Sequence, residues 1–295
     1  MTAKIESSED FGILTLATPN DYLKAIGLAL SLRVSNSGIK TAVACSTKLF
    51  PILSPYFDHV IEERKGLRGF AHKVYLDHYS PFKTTLFFDS DILVFRPVHD
   101  FIHRWPAQPY VACGKLEAGG VSAFGLDRSA VIKRLGVEKL VCIDGAGHAL
   151  FHVPDSIPLF DRAREITDRY AEFAGGARYA DEDAMNMVMT EFGLVPAAYE
   201  QFFARYCSAR PGTMEIDARV GLCRFVANDS GEIFEPCMIH FAADEAPLAY
   251  TYQLWLLFGK FGVPRRELRF LGAKDWFNRE VRLPLHGLKK RLFRK

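Results

Sequence analysis

Residues 84–94 read TTLFFDSDILV, and within them two carboxylates, Asp89 and Asp91, stand one residue apart between apolar runs. The runs at 86–88 and 92–95 predict a buried strand ending at a charged tip. Two like charges leaving a low-dielectric strand need either a shared proton or a divalent cation that holds both oxygens. The cation is the simpler answer. Mg²⁺ and Mn²⁺ are usually held by one or two carboxylates plus substrate phosphates, so the pair points to a phosphate-bearing ligand. The pattern D-x-D is also short and common, and a turn carrying two solvated aspartates accounts for it equally well.

Upstream, residues 11–18 (FGILTLAT) read as a first strand, 22–34 as a helix and 41–45 as a second strand. That succession opens a parallel sheet with right-handed crossovers. Ligands bind such sheets beyond the carboxyl ends of the strands, which puts the loop Thr18-Pro19-Asn20-Asp21-Tyr22 at a binding edge. A plain helix cap at Asn20 or Asp21, with Tyr22 as a core aromatic, explains the same loop without a ligand. Residues 60–63 read as a short strand before a loop bearing Gly and Arg. Residues 71–79 read as a helix with Lys73 in its first turn, facing either solvent or the site. Arg96-Pro97 stops any continuation of the acidic strand.

Downstream, 110–113 reads as a strand and 115–120 as a Gly-bearing loop. The stretch IDGAGHALFHV (143–153) is glycine-rich before an apolar strand, suited to close backbone approach to a ligand or to a simple turn. Residues 161–173 form a helix that Gly175-Gly176 ends. A second chemical stretch follows at 180–192, ADEDAMNMVMTEF, a helix whose Ala184, Met187 and Val188 face the core. Asp181, Glu182 and Asp183 crowd its first turn, where the helix dipole favours negative charge. A cap explains one acid and an exposed first turn often carries two. PCMIHFA (236–242) is an apolar strand with His240 at its end, either a hydrogen-bonded core residue or a third ligand. Residues 247–258 read as an apolar helix.

The chain has 295 residues, 49% hydrophobic and 13% aromatic, which excludes a disordered polypeptide. Its six cysteines lie far apart without a C-x-x-C pair and read as reduced core thiols. The N-terminal MTAKIESSEDFG carries acids where a signal peptide needs an apolar run, and no stretch approaches ~20 apolar residues. A cytoplasmic location is expected. The net charge of +2 hides an asymmetry: residues 265–295 carry eleven Lys or Arg against three Asp or Glu, leaving −6 for the rest. An acidic body with a basic end argues against nucleic-acid binding. Leu285, Leu288 and Leu292 among Lys289, Lys290, Arg291, Arg294 and Lys295 make the pattern of a helix lying on an anionic bilayer, or of a solvated end.

These stretches together resemble glycosyltransferase family 8, the retaining family of glycogenin and the bacterial lipopolysaccharide glucosyl- and galactosyltransferases. The parts arrive in the family's order over most of the first 245 residues: TLATPNDYLKAIG, LFFDSDILV, DGAGHALFHV, ADEDAMN for its D-Q-x-x-x-N element and MIHFA for its H-F motif. The resemblance implies an α/β chain of GT-A fold over 1–264, with a Rossmann-like, mostly parallel central sheet flanked by helices, and a basic tail over 265–295. It implies a UDP-sugar donor, glucose or galactose, with Tyr22 against the uracil and Ala17 and Thr18 contributing contacts. Asp89 and Asp91 would hold Mn²⁺ (or Mg²⁺) with His240 as third ligand, Asp91 also touching the ribose, and Asp89, Ser90 and Asp91 would all bind the donor. Lys73 corresponds to a basic residue near the donor, and Asp181 to an acid that hydrogen-bonds the transferred sugar; Asp181, Glu182 and Asp183 are the expected catalytic acids, Asp181 and Asp183 stabilising the oxocarbenium-like sugar in a front-face transfer and Glu182 offering the carboxylate for a nucleophilic route. The acceptor would be a glycan or a lipid-linked saccharide, met at the inner face of a membrane if the tail attaches there.

Two departures stand out. Glu182 replaces the family's usual Gln, and the H-F-x-G-x-x-K ending reads His240-Phe241-Ala242-Ala243-Asp244-Glu245-Ala246, without its lysine. Rival readings are a catalytically silent GT-A carbohydrate-binding domain and a haloacid-dehalogenase-type phosphatase. The phosphatase places its nucleophilic Asp after the first strand, whereas Asp89 follows at least two. A sugar-nucleotide nucleotidyltransferase would want a basic Gly-rich loop where TLATPND stands.

Overall fold

The apolar runs around Ile13 and Val43 lack the alternation of a strand with one wet face, as expected for strands covered on both sides. A computed structural model, which describes residues 9–67, 69–144, 147–242 and 246–282, places both inside a sheet. The strands are β1 (Glu9–Ala17), β2 (Lys40–Cys45), β3 (His59–Glu62), β4 (Phe82–Phe88), β5 (Ile92–Val94), β6 (Tyr110–Val111), β7 (Gly114–Glu117), β8 (Leu140–Ile143), β9 (His148–His152), β10 (Phe203–Arg205), β11 (Glu215–Asp217), β12 (Leu222–Val226), β13 (Ile233–Phe234) and β14 (Met238–His240). The helices are α1 (Tyr22–Ser35), α2 (Phe50–Leu53), α3 (Leu76–Tyr79), α4 (His99–Ile102), α5 (Arg128–Leu135), α6 (Ile157–Asp168), α7 (Tyr170–Ala174), α8 (Asp181–Glu191), α9 (Pro247–Lys260) and α10 (Leu268–Phe277). They divide between two compact units.

The first unit gathers residues up to Asn20, Ile39–Asp89 and His99–Glu200. Its six-stranded sheet runs β3-β2-β1-β4-β9-β6, with β3, β2, β1 and β4 parallel and β9 antiparallel to both its neighbours. Gly12 in β1 is fixed by packing: a Cβ there would sit 2.3 Å from the ring of Phe82, which is fully buried. The core beneath includes Leu14, Phe87, Phe151, Phe160, Met187 and Val188. Asp89 follows the last residue of β4, and its N–H donates to the carbonyl of Gly147 at 2.8 Å. The antiparallel pair of β7 and β8, joined through α5, includes residues that the sequence assigned to a Gly-bearing loop; Gly114 is needed there because a Cβ would meet the Cys142 carbonyl at 2.3 Å.

The second unit gathers Asp21–Gly38, Ser90–Val98 and the residues from Gln201 on. Here β14 lies between β10, parallel, and β5, antiparallel, with His240 opposite Ile92. The acidic stretch is therefore not the tip of one strand. It is a turn between β4 and β5, which belong to different sheets. Helix α1 braces β5 through the Ser31 hydroxyl, which accepts the Val94 N–H at 3.1 Å, and Asn36, whose Oδ1 accepts the Val98 N–H at 2.8 Å. A small antiparallel sheet, β11-β12-β13, completes the unit with α9 and α10.

Three local expectations change. Residues 71–79 form a 3₁₀ helix (Gly69–Tyr75) followed by the short α3, rather than one α-helix. Residues 161–173 are split at Arg169 into the end of α6 and α7, and Gly175 in the left-handed region (φ 59°) caps the latter. The basic end, expected to stand apart from residue 265, is folded through α10: Leu268, Leu271 and Asp275 are buried, and Asp275 Oδ2 lies 3.1 Å from Lys24 Nζ on α1. The leucine stripe at Leu285, Leu288 and Leu292 lies outside the described residues. Of the six thiols five are buried and Cys207 is exposed, all unbridged. No helix among the described residues is long and apolar enough to cross a membrane.

Candidate functional site

Lys73 is delivered by the 3₁₀ segment and points at acids, not at solvent. Its Nζ lies 2.9 Å from each carboxylate oxygen of Asp89 and 3.2 Å from Asp181 Oδ2. With a side chain only 10% exposed, burial alone would lower the pKa of this amine. The charges of Asp181 and Asp89, with hydrogen bonds to both, outweigh that penalty and hold the ammonium above its ordinary value.

The acids at the start of α8 do not make the exposed first turn that simple capping would give. Asp181 and Asp183 are both buried, while Glu182 is half-buried. Asp183 Oδ2 accepts from the Ser122 hydroxyl at 2.8 Å and from the Tyr170 hydroxyl at 3.4 Å; its Oδ1 has no hydrogen-bond partner among the described residues. Burial pushes the Asp183 pKa up, against the opposing bond from Ser122. One turn on, Asn186 Oδ1 accepts the Ile143 N–H at 2.8 Å and ties α8 to β8. Ala184, Met187 and Val188 are fully buried, as the helical spacing predicts.

Asp91 and His240 form a second pair. Nε2 of His240 is 3.0 Å from Asp91 Oδ1, and the Phe241 N–H donates to the Asp91 carbonyl at 3.0 Å. His240 is 5% exposed and hydrogen-bonded, as the core reading of it expects. Asp89, Asp91 and His240 each offer one ligand atom, and these atoms all lie within 4.8 Å of one another. Two carboxylates and an imidazole form an oxygen-rich set with one borderline nitrogen, which suits Mn²⁺ and also accepts Mg²⁺. Ser90 between them is half-buried, its carbonyl 3.5 Å from the Tyr250 hydroxyl. Ala246, where the missing lysine would stand, is in the left-handed region with φ 45°.

At the carboxyl end of β1, Ala17 is buried in register with Cys45, and the Thr18 hydroxyl accepts the Asn20 N–H at 3.3 Å. Asp21 occupies the N-cap position of α1, where its backbone carbonyl accepts from Lys24 and Ala25. The Tyr22 hydroxyl donates to Glu267. Burial first, then that hydrogen bond and the carboxylate's charge, push the Tyr22 pKa up to about 12. Ser122, Tyr170 and Glu267 were not legible as partners of these residues, because each lies far from its partner in sequence and belongs to no local pattern.

No protein-family model and no curated protein matches the chain. Solved structures do. The galactosyltransferase LgtC, in complex with donor and acceptor sugar analogues, aligns with a TM-score of 0.58 over 88% of this chain and 99% of its own, at 13% identity. An active-site Gln-to-Glu mutant of LgtC aligns at 0.54 over 87% and 98%, at 12% identity. The bifunctional glycosyltransferase WbbM aligns at 0.54 over 90% of this chain, which spans about half (52%) of that protein, at 13% identity. The chain has the GT-A fold of these proteins, and at such identities it is the fold that the likeness establishes.

Proposed function

We propose that the chain is a glycosyltransferase that moves a hexose, glucose or galactose, from a UDP-sugar to a glycan or lipid-linked saccharide with retention of configuration. The observation that carries this reading is the grouping of Asp89, Asp91 and His240 on a fold shared with glycosyltransferases. A cation held by those three ligands would stabilise the negative charge that grows on the departing diphosphate.

The chain's own residues then have separate tasks. Tyr22 would lie against the base, with Ala17 and Thr18 beside it at the end of β1. Lys73 holds Asp89 and Asp181 in fixed orientation, and Asp181 would accept hydrogen bonds from the sugar. Asp183 is buried against Ser122 and Tyr170, so its task is to fix the start of α8 and not to touch the sugar. Glu182 is the half-buried carboxylate of the three. We assign front-face transfer, in which the acceptor hydroxyl's proton passes to the departing phosphate oxygen; a glycosyl adduct on Glu182 in mass spectrometry would overturn this assignment.

Release of UDP from UDP-glucose and UDP-galactose, measured in EDTA and in Mn²⁺, tests the reading, with metal-dependent release expected. Ala246 in place of the lysine favours one second reading, a donor-binding domain without turnover. Calorimetric binding of UDP with Mn²⁺ but no release would support it, and neither binding nor release would end both.

A further inference from the structure

We propose that Arg164 on α6 is a positioning residue that locks the segment carrying Lys73, and so sets where Lys73 meets Asp89 and Asp181; this rests on the function proposed above. The segment needs such a lock. A 3₁₀ helix has poor hydrogen-bond geometry and seldom exceeds three or four residues, yet Gly69–Tyr75 runs for seven. Arg164 supplies what the helix lacks. Its Nη1 donates to the Val74 carbonyl at 2.8 Å, directly after Lys73, and to Asp77 Oδ1 at 2.8 Å. Its Nη2 donates to Asp77 Oδ2 at 3.1 Å and to Asp161 Oδ1 at 2.7 Å. The guanidinium also lies 5.1 Å from the centre of the Tyr75 ring, on which Arg64 packs at 4.6 Å. One side chain, 12% exposed, therefore grips the backbone at Val74, the ring of Tyr75 and the carboxylate of Asp77, all within four residues after Lys73. A planar fork can do this and an ammonium cannot.

A merely structural arginine would lower stability without acting through Lys73, so the test reads Lys73 itself. In protein labelled with ¹⁵N-lysine, the buried, ion-paired ammonium groups of Lys73 and Lys24 should give proton signals protected from exchange, with the Lys73 signal identified by its loss in Lys73→Ala. Arg164→Met is expected to speed exchange at Lys73 about tenfold or more, the effect of losing a charged hydrogen bond, and to leave Lys24 unchanged. Arg164→Lys, the variant to use if Arg164→Met does not fold, should give a smaller effect of the same sign. Unchanged protection at Lys73 in a folded variant would overturn the proposal. In Mn²⁺-dependent UDP release, Arg164→Met should cost roughly ten- to a hundredfold, the range for a small misplacement near the chemistry, and nothing further in the Lys73→Ala background. Additive losses would equally overturn it. If the wild type releases no UDP, the glycosyltransferase reading fails while the exchange measurement still decides the role of Arg164.

Discussion

Asp91 serves two neighbours at once: its side chain pairs with His240 while its carbonyl receives the Phe241 N–H. Replacing it by Asn keeps the size and the carbonyl but removes the charge that a cation needs. Asp91→Asn should weaken Mn²⁺ binding, read by the free-ion EPR signal, by at least about tenfold, since even outer partners of metal ligands cost ten- to a hundredfold. Tyr22 carries a pH dependence of known sign. Its pKa is raised from 10.0 to about 12, so the folded state favours the neutral phenol. The stabilisation is complete below pH 10 and is lost as pH rises through about 12. A phenolate absorbance titration should therefore lose one late-titrating tyrosine in Tyr22→Phe, and alkaline unfolding of that variant should start from a lower stability below pH 10.

Among elements, the pairing of β1 with β4 is the one that places Asp89, and it depends on a residue without a side chain. Gly12→Ala sets a methyl group 2.3 Å from the ring of Phe82, which is fully buried. A loss of about 1–3 kcal/mol in urea unfolding is expected from such overpacking. Helix α8 shows a related dependence on tertiary partners. Its apolar face could be read from spacing, but the burial of Asp181 and Asp183 could not, because the residues they pair with, Lys73, Ser122 and Tyr170, lie outside the helix.

For the whole molecule, the charge asymmetry and the fold of α10 together decide where the chain can be cut. Deleting 283–295 removes five of the eleven Lys and Arg of the basic end and leaves α10 in place. Deleting from 265 also removes the buried Leu268 and Leu271, each contributing about 1.5–3 kcal/mol. The first deletion should abolish sedimentation with anionic liposomes, if the basic end attaches the protein to a membrane. The second should lower the melting temperature. Equal liposome binding by the wild type and the 283–295 deletion would exclude attachment through that end.

The amino-acid sequence by itself determined the parallel opening of the sheet, through apolar runs separated by one helix, and it marked Asp89, Asp91 and His240 as candidate ligands, through charges set at the ends of apolar stretches. These are local signals, and local patterns survive in a linear reading. Only the tertiary structure decided that β4 and β5 belong to different sheets, that Lys73 turns to two acids instead of water, that Asp183 is occupied by Ser122 and Tyr170, and that the basic end folds through α10. Each of these depends on which distant side chain neutralises a buried charge or fills a space. That choice is made by packing between segments 13 to 251 residues apart, where no periodicity connects the partners.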